Sequence, residues 1–330
     1  MKAMQFSEVG EPEVLRPVEV PDPVPGAGQV LVRVESASVN FSDTARRRGG
    51  WFPEPTPLPF IPGGEVAGTV VALGEGVTTP AAGTQVFGLT SAGYAELALL
   101  DAASTVPVPS SLGSDAAAGL LLVGVTASIM LQGAARIESG ETVFVPAASG
   151  GLANYAIQIA KLAGATVIGG ASTPAKRDVA LGYGADHVVD YTAEGWIDEV
   201  LALTGGHGVD VALEMTGPAH VTETLRILGP FGRLVVYGAA AGRDTHLDGT
   251  ALESLVYDPA PGQALIGFNV GAWFQHRLPQ TIALMEELIG RAVSGQITPP
   301  LLTTYPLAEA AEAHRLLESG QSRGKLILNP

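Results

Sequence analysis

The stretch Val30-Leu31-Val32-Arg33-Val34-Glu35-Ser36 alternates apolar and polar side chains, and Val66 to Leu73 is an apolar run punctuated by Gly68 and closed by Gly74. Both read as strands. Pro and Gly cluster at Pro21 to Gly28 and at Pro53 to Gly64, where loops are expected, so about the first 115 residues form a β-rich block. From Gly119 the period changes. A helix over 127–133 precedes a strand over 142–145, and helix and strand then alternate: helix 151–163, strand 166–170, helix 174–182, strand 187–191, helix 195–203, strand 209–214, helix 219–228 and strand 232–237. Ala264 to Phe268 adds a sixth strand. Helices near 278–294 and 307–319 and a last strand, Lys325 to Leu328, complete the chain. Alternating strands and helices predict an α/β fold with a doubly wound parallel sheet, its ligand at the strands' carboxyl ends. No repeat with a period of roughly 20–50 residues is present.

The chemistry in this pattern is densest after the first of those strands. Thr142-Val143-Phe144-Val145 runs into the small-residue turn Ala147-Ala148-Ser149-Gly150-Gly151-Leu152-Ala153, and a helix follows at once. Small residues let the backbone approach a pyrophosphate, and the unpaired N–H groups of the helix point at its charge. Aligned on Gly150, the turn is a degenerate dinucleotide fingerprint, with Ala148 at the usual first Gly and Ala153 at the third. Leu152, Tyr155, Ala156, Ile159 and Leu162 keep helical spacing and form a core stripe, while Asn154 and Gln158 lie off it as structural polar residues. The strand Thr166 to Gly170 ends where an NAD site would offer Asp or Glu to the ribose. The sequence there is Ala171-Ser172-Thr173-Pro174-Ala175-Lys176-Arg177, without a carboxylate and with two hydroxyls and two cations. That composition suits a 2′-phosphate and predicts NADPH as cofactor. Read singly, the turn could be only a tight turn, and Lys176 and Arg177 a solvated helix start. The same turn also fits a loosened G-x-S-x-G elbow with Ser149 as nucleophile and Asp210 and His276 downstream, a serine-hydrolase reading that leaves the cationic segment unexplained.

Composition narrows the class. The 330 residues are 46% hydrophobic and 15% charged, which fits a packed globular chain of two domains sharing a cleft. Lys and Arg number 18 against 33 Asp and Glu, giving a formal charge of −15 that disfavours nucleic acid and anionic membranes as partners. Against that background Lys176 and Arg177 stand out. With no cysteine, disulfides and thiolate metal sites are excluded. The amino terminus has no apolar signal core, and no run of about eighteen apolar residues occurs, so a cytoplasmic protein is the expectation.

Seven pieces in order carry a resemblance along the whole chain: Ser38-Val39-Asn40-Phe41-Ser42-Asp43, Pro59 to Gly68, Gly93-Tyr94-Ala95-Glu96, Gly124-Val125-Thr126-Ala127, the turn Ala147 to Ala153, Gly184-Ala185-Asp186-His187-Val188, and Arg323-Gly324-Lys325. The chain resembles the medium-chain dehydrogenase/reductase superfamily, in its zinc-free, zeta-crystallin-like quinone oxidoreductase branch. The resemblance implies a β-rich, GroES-like catalytic domain made from both chain ends, with the Rossmann sheet inserted. The expected division is 1–120, 121–265 for the dinucleotide domain, and 266–330 returning to the catalytic domain. It also implies a homodimer or homotetramer and a small-molecule substrate. Zinc-dependent relatives use a Cys near the position of Asn40, a Gly-His-Glu triplet and a distant third ligand. This chain has Asn40 and Gly63-Gly64-Glu65, and no two of its six histidines have the i, i+4 spacing of a helical metal site, so no metal is expected. Without a Lewis acid, hydride transfer to a quinone or to an activated C=C bond fits better than alcohol oxidation.

Carried over by resemblance, Thr126 lies near the nicotinamide and Ser149, Gly150 and Gly151 hold the pyrophosphate. Ser172, Lys176 and Arg177 meet the 2′-phosphate, Tyr191 lies against the adenosine, Phe268 and Asn269 flank the nicotinamide, and Lys325 returns to the cleft as a further cofactor contact. On the substrate side, Asn40 is the expected donor to an acceptor oxygen, with Asp43 orienting it or capping the next helix, and Trp51 and Trp273 wall a flat acceptor. Two departures stand against a generic quinone reductase. Ala45 takes the place of a Tyr common among relatives, leaving water as a proton source, and Gly83-Thr84-Gln85-Val86 replaces Gly-Asp-Arg-Val. A non-catalytic, crystallin-like NADPH binder stays open as the alternative.

Overall fold

The computed structural model of the chain describes residues 1–50, 55–238 and 262–330, together with residues 240, 253 and 255. It comprises two compact units, Met1–Val123 with Pro299–Pro330, and Gly124–Thr298. The first opens with an antiparallel pair, β1 (Lys2–Gln5) and β2 (Arg16–Glu19). Next come β3 (Gln29–Val39), β4 (Glu65–Leu73), β5 (Gln85–Leu89), β6 (Leu97–Asp101) and β7 (Val106–Pro107), which are antiparallel neighbours in one sheet. The long strand β3 is the hub, pairing with β4 and β6. Its Val30, Val32 and Val34 join Val66, Val70, Phe6, Tyr94 and Leu100 in a closed apolar cluster. At Gly68 the two central strands approach so closely that an added Cβ would lie 2.0 Å from the Arg33 carbonyl oxygen. Only glycine permits that register.

Among the described residues the second unit carries six parallel strands: β8 (Thr142–Val145), β9 (Thr166–Gly170), β10 (His187–Val189), β11 (Val209–Glu214), β12 (Leu228–Val236) and β13 (Ala264–Gly267). Their order is β10-β9-β8-β11-β12-β13, so the direction of winding reverses between β8 and β11. This is the doubly wound sheet that the alternating pattern predicts, and open sheets of this kind bind ligands beyond the carboxyl ends at that switch. One core cluster joins Phe144, Ile168, Val200, Val209, Ala212 and Leu234, with the Trp196 ring stacked on Phe144 at 5.5 Å. Strand β12 begins earlier than the expected 232 because Ile227 already accepts the Val209 N–H at 2.8 Å, which ends the preceding helix at Leu225. The expected helix over 127–133 is the end of a longer one, Leu121–Ser128, continued by a π-helical turn, Ile129–Ala134.

The helices Val270–His276 and Leu278–Val293 stay with this second unit, which runs to Thr298. The expected return at 266 is thus placed about thirty residues later. Packing explains the difference. Strand β13 is in register with β12 from Arg233↔Ala264 to Val236↔Gly267, the Trp273 ring lies against Gly133, and Leu288 lies against Gly124. After Pro299 the chain forms β14 (Leu302–Pro306) and β15 (Lys325–Asn329). Strand β15 adds antiparallel to the far end of β3, pairing Leu326 with Val39 and Leu328 with Ala37, and places Lys325 beside the end of β3.

These approach distances predict unequal tolerance of a single methyl group. Gly68→Ala meets backbone and should lower the melting temperature by more than about 10 °C or prevent soluble expression, whereas Gly267→Ala, with nothing within 4 Å of its new Cβ, should change it by less than about 3 °C. Thermal denaturation of the two variants checks both.

Candidate active site

The turn after β8 is shaped by an unusual backbone conformation. Ala147 has φ 46°, in the left-handed region, and its carbonyl accepts the Gly150 N–H at 2.8 Å. A non-glycine residue there is strained by about 1–2 kcal/mol, the kind of outlier that clusters at ligand sites. The Ala148 N–H bonds the Gly170 carbonyl at 2.9 Å, tying the turn to the end of β9. Gly150 precedes the helix Gly151–Leu162, and a Cβ on it would meet the Ala147 oxygen at 3.2 Å. Asn154 supplies the first N–H bonded to the Gly150 carbonyl, at 3.0 Å, so the earlier N–H groups of the helix point outward for an anion. Ser149 is buried in the same turn. The cradle fits a pyrophosphate.

At the carboxyl end of β9, Thr173 caps the helix Pro174–Gly182 and Ser172 and Lys176 flank the cap. Arg177 is already committed: Nη1 donates to the Ala171 carbonyl at 3.0 Å and to Asp190 at 2.9 Å. Its charge is therefore shared with a carboxylate from the loop after β10. Tyr191 follows that carboxylate, half-buried, with its ring edge-on to His220 at 6.2 Å. Burial and then the Glu214 carboxylate push its phenol above the usual range. The sequence pattern did not single out His220 or Asp190.

Thr126 is buried in the helix Leu121–Ser128. The Phe268 N–H extends β13 by bonding the Val236 carbonyl at 2.9 Å, and Asn269 caps the following helix, its Oδ1 accepting from the Ala272 N–H at 3.1 Å. The Trp273 ring packs on Gly133 and under the Arg277 guanidinium at 5.2 Å, contacts made within its own unit. Trp51 lies outside the described residues. The hydrolase reading fails on geometry. Asp210 sits at the amino end of β11, where it accepts the Thr142 N–H at 2.8 Å, while Ser149 lies beyond the opposite, carboxyl end of β8.

The first unit holds a buried polar cluster where β3, β4 and β15 meet. Asn40 follows β3 and is 5% exposed. Its Oδ1 accepts from Lys325 Nζ at 2.7 Å, and its Nδ2 donates to Ser38 Oγ at 3.1 Å and Glu65 Oε1 at 3.3 Å. Ser38 Oγ itself donates to the same Glu65 oxygen. Because those two acceptors touch each other, they lie in nearly one direction from Nδ2, whereas the two amide N–H bonds diverge by about 120°. Both can share one hydrogen, so that among the described residues the second N–H of Asn40 has no acceptor of its own. Lys325, at 4% exposure, donates to the Val39 carbonyl at 3.3 Å, to Asn40, and to Glu65 at 3.4 Å. These three acceptors give the Lys325 ammonium a place in this cluster. Glu65 Oε2 takes the Leu122 N–H at 2.8 Å.

Asp43 lies one turn further on. Its Oδ2 receives the Asn40 N–H at 2.9 Å, the reciprocal arm of a capping box, so capping and orienting Asn40 are one contact. Its carboxylate also accepts from the Gly63 N–H and the Tyr94 hydroxyl, each at 3.3 Å. Tyr94 Oη is 3.0 Å from His314 Nε2, while among the described residues His314 Nδ1 has no partner. Burial holds His314 neutral, down to about 3. If Tyr94 donates to Asp43, the imidazole proton belongs on Nε2 and the orphan is a bare acceptor. Tyr94, quoted from the sequence only within the piece Gly93 to Glu96, thus meets His314 across 220 residues of chain.

With this geometry in hand, known proteins can be compared. Residues 26–110 match the alcohol dehydrogenase GroES-like domain and residues 151–287 the zinc-binding dehydrogenase domain. Quinone oxidoreductase of Rattus norvegicus is 32% identical over 332 residues, spanning 99% of this chain and 97% of its own. Mycobacterial Rv1454c complexed with NADPH superimposes with a TM-score of 0.90 at 34% identity over 100% of both chains. Escherichia coli quinone oxidoreductase complexed with NADPH gives 0.91 at 28% identity, again over 100% of both. The chain belongs to the zinc-free quinone oxidoreductase family.

In this member of the quinone oxidoreductases a zinc ion does not fit the polar cluster, although one matched domain is described as zinc-binding. The triplet Gly63-Gly64-Glu65 offers a single carboxylate whose oxygens are taken by Ser38, Asn40, Lys325 and Leu122, and an ammonium already stands beside it. Among the described residues no group of three His, Cys, Asp or Glu is arranged to hold a metal.

Burial raises the Asp43 carboxyl to about 6 against the opposing pull of its hydrogen bonds and of Lys325. The folded state therefore binds this proton more tightly than the unfolded chain, and the penalty for ionised Asp43 is present above pH 6 and fades as pH falls towards about 4. Asp43→Asn should accordingly be more favourable, relative to the parent, at pH 8 than at pH 5 by about 1 kcal/mol. Urea denaturation of both proteins at the two pH values checks the sign.

Proposed function

We propose that this chain is an NADPH-dependent oxidoreductase that reduces a quinone or an activated C=C bond, enone or enoyl, without a metal. The observation that carries it is the end of β9: Ser172 and Lys176 stand where a carboxylate would select NAD, beside a turn and helix start shaped for a pyrophosphate. Ser149, Gly150 and Gly151 would hold the pyrophosphate, Ser172 and Lys176 the 2′-phosphate with Arg177 bracing the pocket through Asp190, and Tyr191 the adenosine. Thr126, Phe268 and Asn269 would lie towards the nicotinamide. Bound there, NADPH supplies a hydride.

The polar cluster of the first unit supplies the complementary chemistry. An acceptor that takes a hydride develops negative charge on its conjugated oxygen, and a fixed N–H donor stabilises that charge more in the transition state than before it. The second Nδ2 hydrogen of Asn40 is that donor in this reading, with Asp43 holding the Asn40 backbone in place. Water delivers the proton. A small-molecule acceptor, a homodimeric or homotetrameric assembly and a cytoplasmic setting complete the proposal; among the described residues no helix is long and apolar enough to cross a membrane.

Two expected outcomes test it. NADPH should bind at least about 10-fold more tightly than NADH at low salt, and Lys176→Ala should weaken NADPH with little effect on NADH. Fluorescence titration with equal dissociation constants for the two cofactors would sink the assignment. Asn40→Ala should lower kcat for quinones or enones by about 10²–10³ while NADPH binding persists. An unaltered kcat would remove Asn40 from the chemistry, and no NADPH oxidation with any such acceptor would favour a non-catalytic binder.

A further inference from the structure

Nothing in the cofactor cradle or in an acceptor-binding role for Asn40 requires a buried cation, yet Lys325 is brought to Asn40 from the other end of the chain. We infer that Lys325 is a positioning residue that acts through the Asn40 amide, fixing which way it faces and strengthening its spare N–H towards the acceptor oxygen. This rests on the reading that Asn40 donates to that oxygen.

Three observations support it. First, an amide is nearly symmetric in shape, so its orientation is set by its partners. An ammonium at 2.7 Å has no acceptor to offer and can bind only Oδ1, which excludes the flipped amide with Nδ2 against Lys325. Second, polarising an amide at its oxygen shifts charge along O=C–N and makes its N–H a better donor, so the cation is felt at the acceptor without touching it. Third, the burial is costly. Lys325 and Glu65 are both almost fully buried and 3.4 Å apart, a pair that a neutral packing would replace at little cost in stability. Glu65 makes the ammonium tenable and takes the hydrogen that Asn40 does not keep. The charged groups facing Lys325 are Glu65 on β4 and Asp43 on the helix Phe41–Arg47; both favour its charged form, while burial opposes it and draws it below its ordinary range.

The test uses Lys325→Met and, because that variant strands a buried carboxylate, the double variant Glu65→Gln/Lys325→Met, which removes both charges together. The double variant should bind NADPH within about twofold of the parent and lose about 10- to 100-fold in kcat with little change in acceptor KM. The parent's kcat should fall at alkaline pH as Lys325 loses its proton, and that limb should be absent from the double variant. A nuclear magnetic resonance measurement independent of turnover follows the Asn40 side-chain amide protons, assigned by their loss in Asn40→Ala; they should move upfield in the double variant. Unmoved amide resonances, or a double variant with the parent's kcat and alkaline limb, would overturn the inference while leaving an active NADPH reductase. A parent protein that reduces no quinone or enone defeats the proposed function first, and the role of Lys325 with it.

Discussion

The ion pair between Lys325 and Glu65 lies at the point where three strands of the first unit converge, and much of that unit is arranged to make it tolerable. Taking two charges out of water costs several kcal/mol per ion, and their attraction offsets this only when every remaining lone pair and hydrogen has a partner. Here Ser38, Asn40, Val39 and the Leu122 N–H provide those partners. Strand geometry fixes most of the groups involved, while Leu122 lies in a helix. Ser38 and Val39 end β3, Glu65 begins β4, and Lys325 begins β15, whose register opposite β3 sets it beside Asn40. A slip of one residue in that register would turn Lys325 to the opposite face of the sheet.

The two carboxylates of this region, Glu65 and Asp43, thus have separate environments. Glu65 has a cation and donors on both oxygens, whereas Asp43 has only neutral donors and is left near the middle of the physiological range, at about 6. The difference assigns them different duties. Glu65 holds a charge, and Asp43 holds a backbone.

Much of this was legible in the order of residues. The alternation of strand and helix from 142 onward depends on local periodicity, and it gave the parallel sheet and the helix that starts at Gly151 directly. The absence of a carboxylate after β9 is likewise a local fact. What local pattern does not encode is pairing across the sheet. Arg177 looks like a free cation until β10 brings Asp190 beside it, and Lys325 looks like an edge-strand charge until β15 is seen against β3. Tyr94 and His314 carry no motif that would join them. The helices between 270 and 293 resemble a tail in sequence, since only their packing on Gly133 and Gly124 attaches them to the second unit.

The interruption of the first unit by the second has a consequence for biosynthesis. Residues 124–298 are contiguous and can complete their sheet while the chain is still being made, whereas β3 lacks its neighbour β15 until residues 325–329 have left the ribosome. Until then Glu65 and Asn40 wait at an unpaired strand edge without their cation. During synthesis the second unit can therefore complete its sheet before the first has β15, which leaves that edge of β3 open to premature pairing. A strand made after the whole second unit is the one that makes the polar cluster whole.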